Sequence, residues 1–110
     1  MSSGTDVTAF RVADHGELLV TRDQGAFVRE KLLEVLRANG SDPVEVHLDG
    51  VETYTPSFMD EFLGKTLVEI GQAAFRERVR LVATRNDVRK LANLVLNNRL
   101  RSPHPPSGGK

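Results

Sequence analysis

The side chains best suited to chemistry crowd into one stretch: Asp49, Glu52, Thr53, Tyr54, Thr55, Ser57, Asp60 and Glu61, with Pro56 among them. Two chemistries use such groups. Asp49, Glu52, Asp60 and Glu61 are hard oxygen donors of the kind that hold Mg²⁺ beside a substrate phosphate. Thr55 and Ser57 place hydroxyls at the start of a helix, where free N–H groups and the helix dipole favour a phosphoryl group. Against a magnesium-dependent, phosphate-handling enzyme, no base or basic phosphate clamp stands nearby in the sequence. Against simple phosphate binding, Asp60 and Glu61 use the same dipole and oppose an added dianion. A plainer alternative is that Thr55 only caps the helix and the acids only balance its dipole.

Other constellations are missing. His15, His47 and His104 fall on a turn, a strand and a terminal tail, so they do not share the short spacing of a metal-ligating pair. The sequence contains no Cys, which excludes a disulfide framework, thiolate metal sites, Cys-x-x-Cys redox chemistry and a Cys nucleophile. It has no glycine-rich phosphate loop, and neither a metal nor a cofactor is expected. Gly64 lies inside a helical pattern, where glycine costs about 0.5–1 kcal/mol relative to alanine, so it is expected to let a backbone or a large side chain approach closely.

These residues are held by elements that the periodicity marks. Thr8, Phe10 and Val12 alternate, a turn follows at Asp14–Gly16, and Leu18, Leu19 and Val20 come next, which reads as a β-hairpin. Thr21 caps a helix whose Val28, Leu32, Val35 and Leu36 share a face and which stops at Asn39 and Gly40. Val44, Val46 and Leu48 alternate with Glu45, His47 and Asp49, a strand with one wet face, so the helices are expected mainly on one side of the sheet. Thr55, with Pro56 at the first helical position, opens a helix carrying Phe58, Met59, Phe62, Leu63, Leu67 and Ile70 and ending at Gly71. Val79, Leu81 and Ala83 form a last strand, and Asn86 caps a helix with Val88, Leu91, Ala92, Val95 and Leu96 on one side. One core should join Val46, Leu48, Phe58, Phe62, Leu67, Leu81, Val88, Leu91 and Val95. The order β-β-α-β-α-β-α implies an α/β fold with parallel later strands and a mixed sheet whose antiparallel edge is the hairpin.

With 110 residues there is room for one core, here placed at residues 5–101, and the Pro/Gly/Ser-rich 102–110 is expected to be a disordered tail. No apolar run reaches the roughly 20 residues that span a bilayer, and Met1–Asp6 lacks a signal-peptide pattern, so no membrane partner and a cytoplasmic location are expected. The formal net charge is zero, which argues against a general polyanion binder. Residues 41–70 are nevertheless mostly acidic and 71–101 mostly basic, which predicts an acidic and a basic pole. The basic segment from Arg76 to Arg101 offers a nucleic-acid reading, but only Phe75, at its margin, is aromatic, and no reading motif accompanies it.

From Val44 to Arg99 the chain resembles the STAS-like family of unknown function. The resemblance is carried by Val46, Leu48, Asp49, Gly50 and Val51, then by Ser57, Phe58, Asp60, Glu61, Phe62 and Gly64, and finally by Ile70, Gly71, Phe75, Asn98 and Arg99. It implies kinship with the STAS domains of bacterial anti-sigma factor antagonists. Those bind a GHKL-type ATPase kinase and are switched by phosphorylation of a serine at the start of this helix. Aligned on the strand, Thr55 takes the usual acidic position, Pro56 that of the phosphorylated serine, and Ser57 the next. The implied function is a small signalling module that binds a protein partner and is not itself an enzyme. The implied partner surface is Thr53, Tyr54, Thr55, Ser57, Asp60 and Glu61, with Ser57 and Thr55 as candidate phosphorylation positions.

Overall fold

Alternating valine-rich segments pair as parallel strands once helical crossovers return the chain to the same edge direction. In the computed structural model, which describes residues 8–101, β1 (Thr8–Arg11), β3 (Val44–His47) and β5 (Val79–Val82) form one sheet in the order β1-β3-β5. Both pairings are parallel and place Phe10, Val46 and Leu81 in one row. A separate parallel pair joins β2 (Leu18–Leu19) to β4 (Thr53–Tyr54), with Leu18 opposite Thr53 and Leu19 opposite Tyr54. Burial alternates along β3: Val44 and Val46 are buried, while Glu45 and His47 stay partly exposed, as helices covering one face require.

The N-terminal hairpin does not form, and every pairing among the described residues is parallel, so the expected mixed sheet is corrected as well. After β1 the chain enters a 3₁₀ turn at Val12–His15 that buries Val12 completely. This detour delivers Leu19 to the core beside Tyr54, while the partner edge of β1 is taken by β3. Two long-range pairings that bury Phe10, Val12 and Leu19 thus prevail over one local closure. Residues 5–7 of the expected domain and the 102–110 tail lie outside the described residues.

Helix α1 (Arg22–Ala38) starts on a reciprocal capping box: the Thr21 hydroxyl accepts from the Gln24 N–H at 3.1 Å, and the Gln24 amide oxygen accepts from the Thr21 N–H at 3.0 Å. It ends at Asn39, and Gly40 takes a φ of +62°, as the Asn-Gly pair predicts. The next helix begins as expected, with Thr55 as cap and Pro56 first, but it is not uniform. Helix α2 (Pro56–Met59) passes into a π-helical segment, Asp60–Gly64, then into α3 (Lys65–Ile70), and stops at Gly71 with a φ of +93°.

The sequence contains a reason for the wide turn. Buried positions recur every four residues, as Phe58, Phe62 and Thr66 and as Met59, Leu63 and Leu67. In a regular α-helix each step of four over-rotates by about 40°, so such a stripe would drift off one face. A π turn takes back part of that rotation. Helix α4 (Gln72–Arg78), which the periodicity does not mark, is seven residues long with Phe75 as its buried residue. Helix α5 (Asn86–Arg101) starts one residue earlier than the expected cap position implies and buries Val88, Ala92 and Val95.

The π segment packs between α1 and α5, and two glycines allow it. A Cβ on Gly25 of α1 would lie 2.8 Å from the carbonyl oxygen of Phe58 and 2.7 Å from the Cβ of Glu61. A Cβ on Gly64 would lie 2.5 Å from the Asp60 carboxylate and 3.2 Å from the Arg99 side chain. The close approach expected at Gly64 is therefore that of Arg99 and Asp60. Of the expected core, Val46, Leu48, Phe58, Phe62, Leu67, Val88 and Val95 are buried, and Leu81 and Leu91 pack against them partly buried.

Candidate functional site

The strand-to-helix junction is built on β4 and held by β2. The Thr55 N–H donates to the carbonyl of Leu19 at 3.3 Å, and the Thr55 hydroxyl donates to that of Val20 at 2.7 Å. The same hydroxyl oxygen accepts from the Phe58 N–H at 3.2 Å, so Thr55 is both cap and staple. Tyr54 turns inward: its hydroxyl donates to the Leu48 carbonyl at 2.7 Å, and its ring sits 5.7 Å from that of Phe58. Burial, reinforced by the negative charge of Asp49, pushes the Tyr54 phenol far above its ordinary range and keeps it a hydrogen-bond donor.

Thr53 and Ser57 are the hydroxyls left at the surface. Thr53 is exposed, Ser57 is partly exposed, and neither side chain has a hydrogen-bond partner among the described residues. Around them lie side chains to which the junction motif gave no pointer. Leu18, opposite Thr53 across the β2–β4 pair, is 56% exposed, and Val20 beside it is also exposed. The signal that could have found them is the alternation of β2, which buries Leu19 and turns its two neighbours outward. Arg85 closes the far side, donating to the carbonyls of Val51 and Glu52 and pairing with Asp87 at 2.7 Å.

Asp60 and Glu61 belong to a different structure. Arg99 grips Asp60 through two hydrogen bonds of 2.9 and 2.8 Å. Glu61 takes Arg22 at 3.3 Å, Arg29 at 3.1 Å and Lys65 at 3.5 Å, and Arg29 also donates to the Glu61 carbonyl. Hydrogen bonding from Arg99 holds the Asp60 carboxyl below its usual range despite partial burial. Burial pushes Glu61 upward, but Arg29, Lys65 and Arg22 together bring it below the ordinary value. One pair, Arg99 of α5 on Asp60, links the acidic block 41–70 to the basic block 71–101; the other bases around Glu61 are Arg22 and Arg29 of α1 and Lys65.

The four acids of the magnesium reading do not meet. Asp49 accepts from the Thr84 N–H at 2.9 Å and hydroxyl at 3.1 Å, while Asp60 and Glu61 face arginines. Among the described residues no group of three acids or histidines is placed to hold a metal ion. No helix among them is long and apolar enough to cross a membrane.

The Asp60–Arg99 pair makes acid stability testable. A carboxyl whose folded pKa lies below its unfolded value of about 3.9 stabilises the fold above that value, and the contribution fades as pH falls through the depressed folded pKa. Asp60→Asn should therefore lower stability at pH 7 and flatten its fall below about pH 4. Urea melts of both proteins at pH 7, 4 and 2.5 check this; parallel curves would mean that Asp60 contributes nothing.

The family model of a STAS-like domain of unknown function matches residues 24–89, which is more than half of the chain. The chain belongs to this STAS-like family. The matched span runs from the first turn of α1, through β3, β4, α2, the π segment, α3 and α4, to β5 and the first turn of α5; it contains Thr53 to Glu61 but not Leu18 of β2 or Val20. No curated protein and no solved structure matches the chain.

Proposed function

We propose that this STAS-like domain is a regulatory module, not an enzyme, whose surface at Leu18, Val20, Thr53 and Ser57 docks a protein partner. A GHKL-type ATPase kinase of a bacterial cytoplasmic partner-switching pathway is the partner class to which the family resemblance leads. The observation that carries the reading is the pairing of exposed apolar side chains, Leu18 and Val20, with the exposed hydroxyl of Thr53 on β4 and the partly exposed one of Ser57 at the helix start. Apolar anchors inside a polar rim are the anatomy of a protein contact.

Ser57 is the phosphorylation position on this reading. Its hydroxyl makes no hydrogen bond among the described residues, whereas modifying Thr55 would sacrifice both its bond to Val20 and the cap on Phe58. Asp60 and Glu61 act on the same reading as supports that hold the helix start against α1 and α5. Capture from the source lysate by immobilised chain, with mass-spectrometric identification, tests the reading. Wild type should retain a GHKL-type ATPase, and Leu18→Asp should reduce its capture at least about tenfold by burying an unpaired charge. Equal capture by both proteins would remove this surface from consideration.

A further inference from the structure

A second surface lies at the edge of the sheet. The order β1-β3-β5 leaves β5 with no described strand on its outer side. Two contacts fix which main-chain groups face that side. The Val82 carbonyl accepts from the Leu48 N–H at 2.8 Å, and the Thr84 N–H donates to the Asp49 carboxylate at 2.9 Å, so residues 82 and 84 address β3 and its extension. Successive residues of a strand turn their main-chain groups to opposite sides, which directs those of Leu81 and Ala83 to the open edge.

Beside this edge is a hollow of about 160 Å³ between β5 and α5, lined by Leu48, Leu81, Ala83, Arg89, Ala92 and Asn93. It opens on a different side of α5 from Val88 and Leu91, which border Thr53 and Tyr54. An open strand edge next to a hollow is the setting in which an extended peptide adds as a further strand, its main chain paired to the edge and alternate side chains entering the hollow. Leu81 and Ala83 of β5, with Ala92 of α5, give the hollow apolar walls. Charge selects the other set of side chains. Arg80, on the outward face of β5, and Arg89, on the wall of the hollow, are both exposed, and neither has an acid partner among the described residues. Glu45, opposite Arg80 in the ladder, bonds to His47 at 3.1 Å instead.

The chain's own segments do not meet this demand. Strand β5 carries Arg80 and no acid, so a second copy paired along it would add like charge to the edge. Residues 102–110 contain no acid and three prolines, each lacking the N–H that a ladder uses. We propose that the open edge of β5 binds an extended segment of a protein partner in which apolar and acidic residues alternate. Its main chain pairs with Leu81 and Ala83, its apolar side chains enter the hollow between β5 and α5, and its acids lie beside Arg80. This site is independent of the docking face at Leu18 and Val20.

Amide chemical-shift titrations of the full chain with synthetic hexapeptides decide the matter. The probe is acetyl-(Asp-Val)3-amide, compared with acetyl-(Lys-Val)3-amide and with two aspartate peptides N-methylated either at every valine or at every aspartate. The aspartate peptide should shift Leu81, Ala83, Arg89 and Asn93 saturably, with a dissociation constant at least about tenfold below that of the lysine peptide. One N-methylated peptide should lose binding and the other keep it, because only alternate N–H groups face the edge. Arg80→Glu should weaken the aspartate peptide at least about tenfold while leaving capture at Leu18 and Val20 unchanged. Equal affinity for the two charge versions, binding retained by both N-methylated peptides, shifts elsewhere on the surface, or self-association of the chain that alone moves Leu81 and Ala83 would each overturn the proposal. The comparison of peptides on wild type stands even if Arg80→Glu folds poorly.

Discussion

Replacing Phe62 by Ala should destabilise the domain by about 3–5 kcal/mol, the range for truncating a fully buried aromatic. Phe62 has no exposed surface and sits on the π segment with its ring 6.4 Å from Phe10 and 5.7 Å from Phe58. Phe10 continues to His15 at 5.3 Å and Phe58 to Tyr54 at 5.7 Å, so Phe62 is the middle of an aromatic row that runs from the 3₁₀ turn to the strand-to-helix junction. Its loss opens a cavity where β1 meets the π segment that packs between α1 and α5. The walls have little freedom to close it, because Arg29 and Arg99 fix the π segment to α1 and α5, and Gly25 already brings α1 against Phe58. The cost should lie at the upper part of the range for that reason. Urea melts should show a lower midpoint with an unchanged slope, which marks lost stability in an unaltered two-state transition. Val68→Ala, at a position 63% exposed, is the control and should stay within about 0.5 kcal/mol of wild type. A loss below about 1 kcal/mol for Phe62→Ala would mean that the helix presents a different face to the core.

How much of this was legible from sequence depends on the range of the interaction that decides each feature. Helix ends were readable because the deciding groups are neighbours. Thr21, Thr55 with Pro56, Gly40 and Gly71 act within one turn of their own position, and each stands where the pattern put it. The hairpin was misread because Thr8, Phe10 and Val12 alternate as a strand does, while the burial that decides their pairing comes from β3, more than 30 residues away. The partner of β2 is equally remote, and β4 is two residues long, too short for any period to show.

The ion pairs were hidden in the same way. Counting acids in 41–70 and bases in 71–101 describes the chain, but α5 returns Arg99 to Asp60, and α1 brings Arg22 and Arg29 to Glu61. Gly64 offered a local clue that something large approached, and it proved to be this pair. The four-residue repeat of buried positions through Phe58, Phe62 and Thr66 offered a comparable clue to the π turn, since an α-helix cannot keep that repeat on one face. In the candidate site, Thr53 and Ser57 were visible by type and position. Leu18 and Val20 were not, because only the β2–β4 pairing brings them beside the helix start.

Ser57→Asp should leave the fold close to wild-type stability and sharply reduce partner capture. Ser57 is the second residue of α2, where a negative charge gains about 0.3–1 kcal/mol from the helix dipole. Asp60 and Glu61 follow at three and four residues, the spacings at which like charges repel, but their carboxylates already face Arg99, Arg22, Arg29 and Lys65. Repulsion and dipole gain are therefore of similar small size, and the melting midpoint should move little. Binding differs because the new charge has no counter-charge of its own in a contact organised around Leu18 and Val20. Leaving a carboxylate unpaired in a desolvated interface costs several kcal/mol, and about 2.8 kcal/mol is already a hundredfold in affinity. The measurement pairs circular dichroism melts with capture of the partner identified for wild type, using Ser57→Asp and Arg89→Glu side by side. Normal melting with capture reduced about a hundredfold for Ser57→Asp, and intact capture for Arg89→Glu, is the expected result. Full capture by Ser57→Asp together with loss in Arg89→Glu would move the partner surface from the start of α2 to the exposed side of α5.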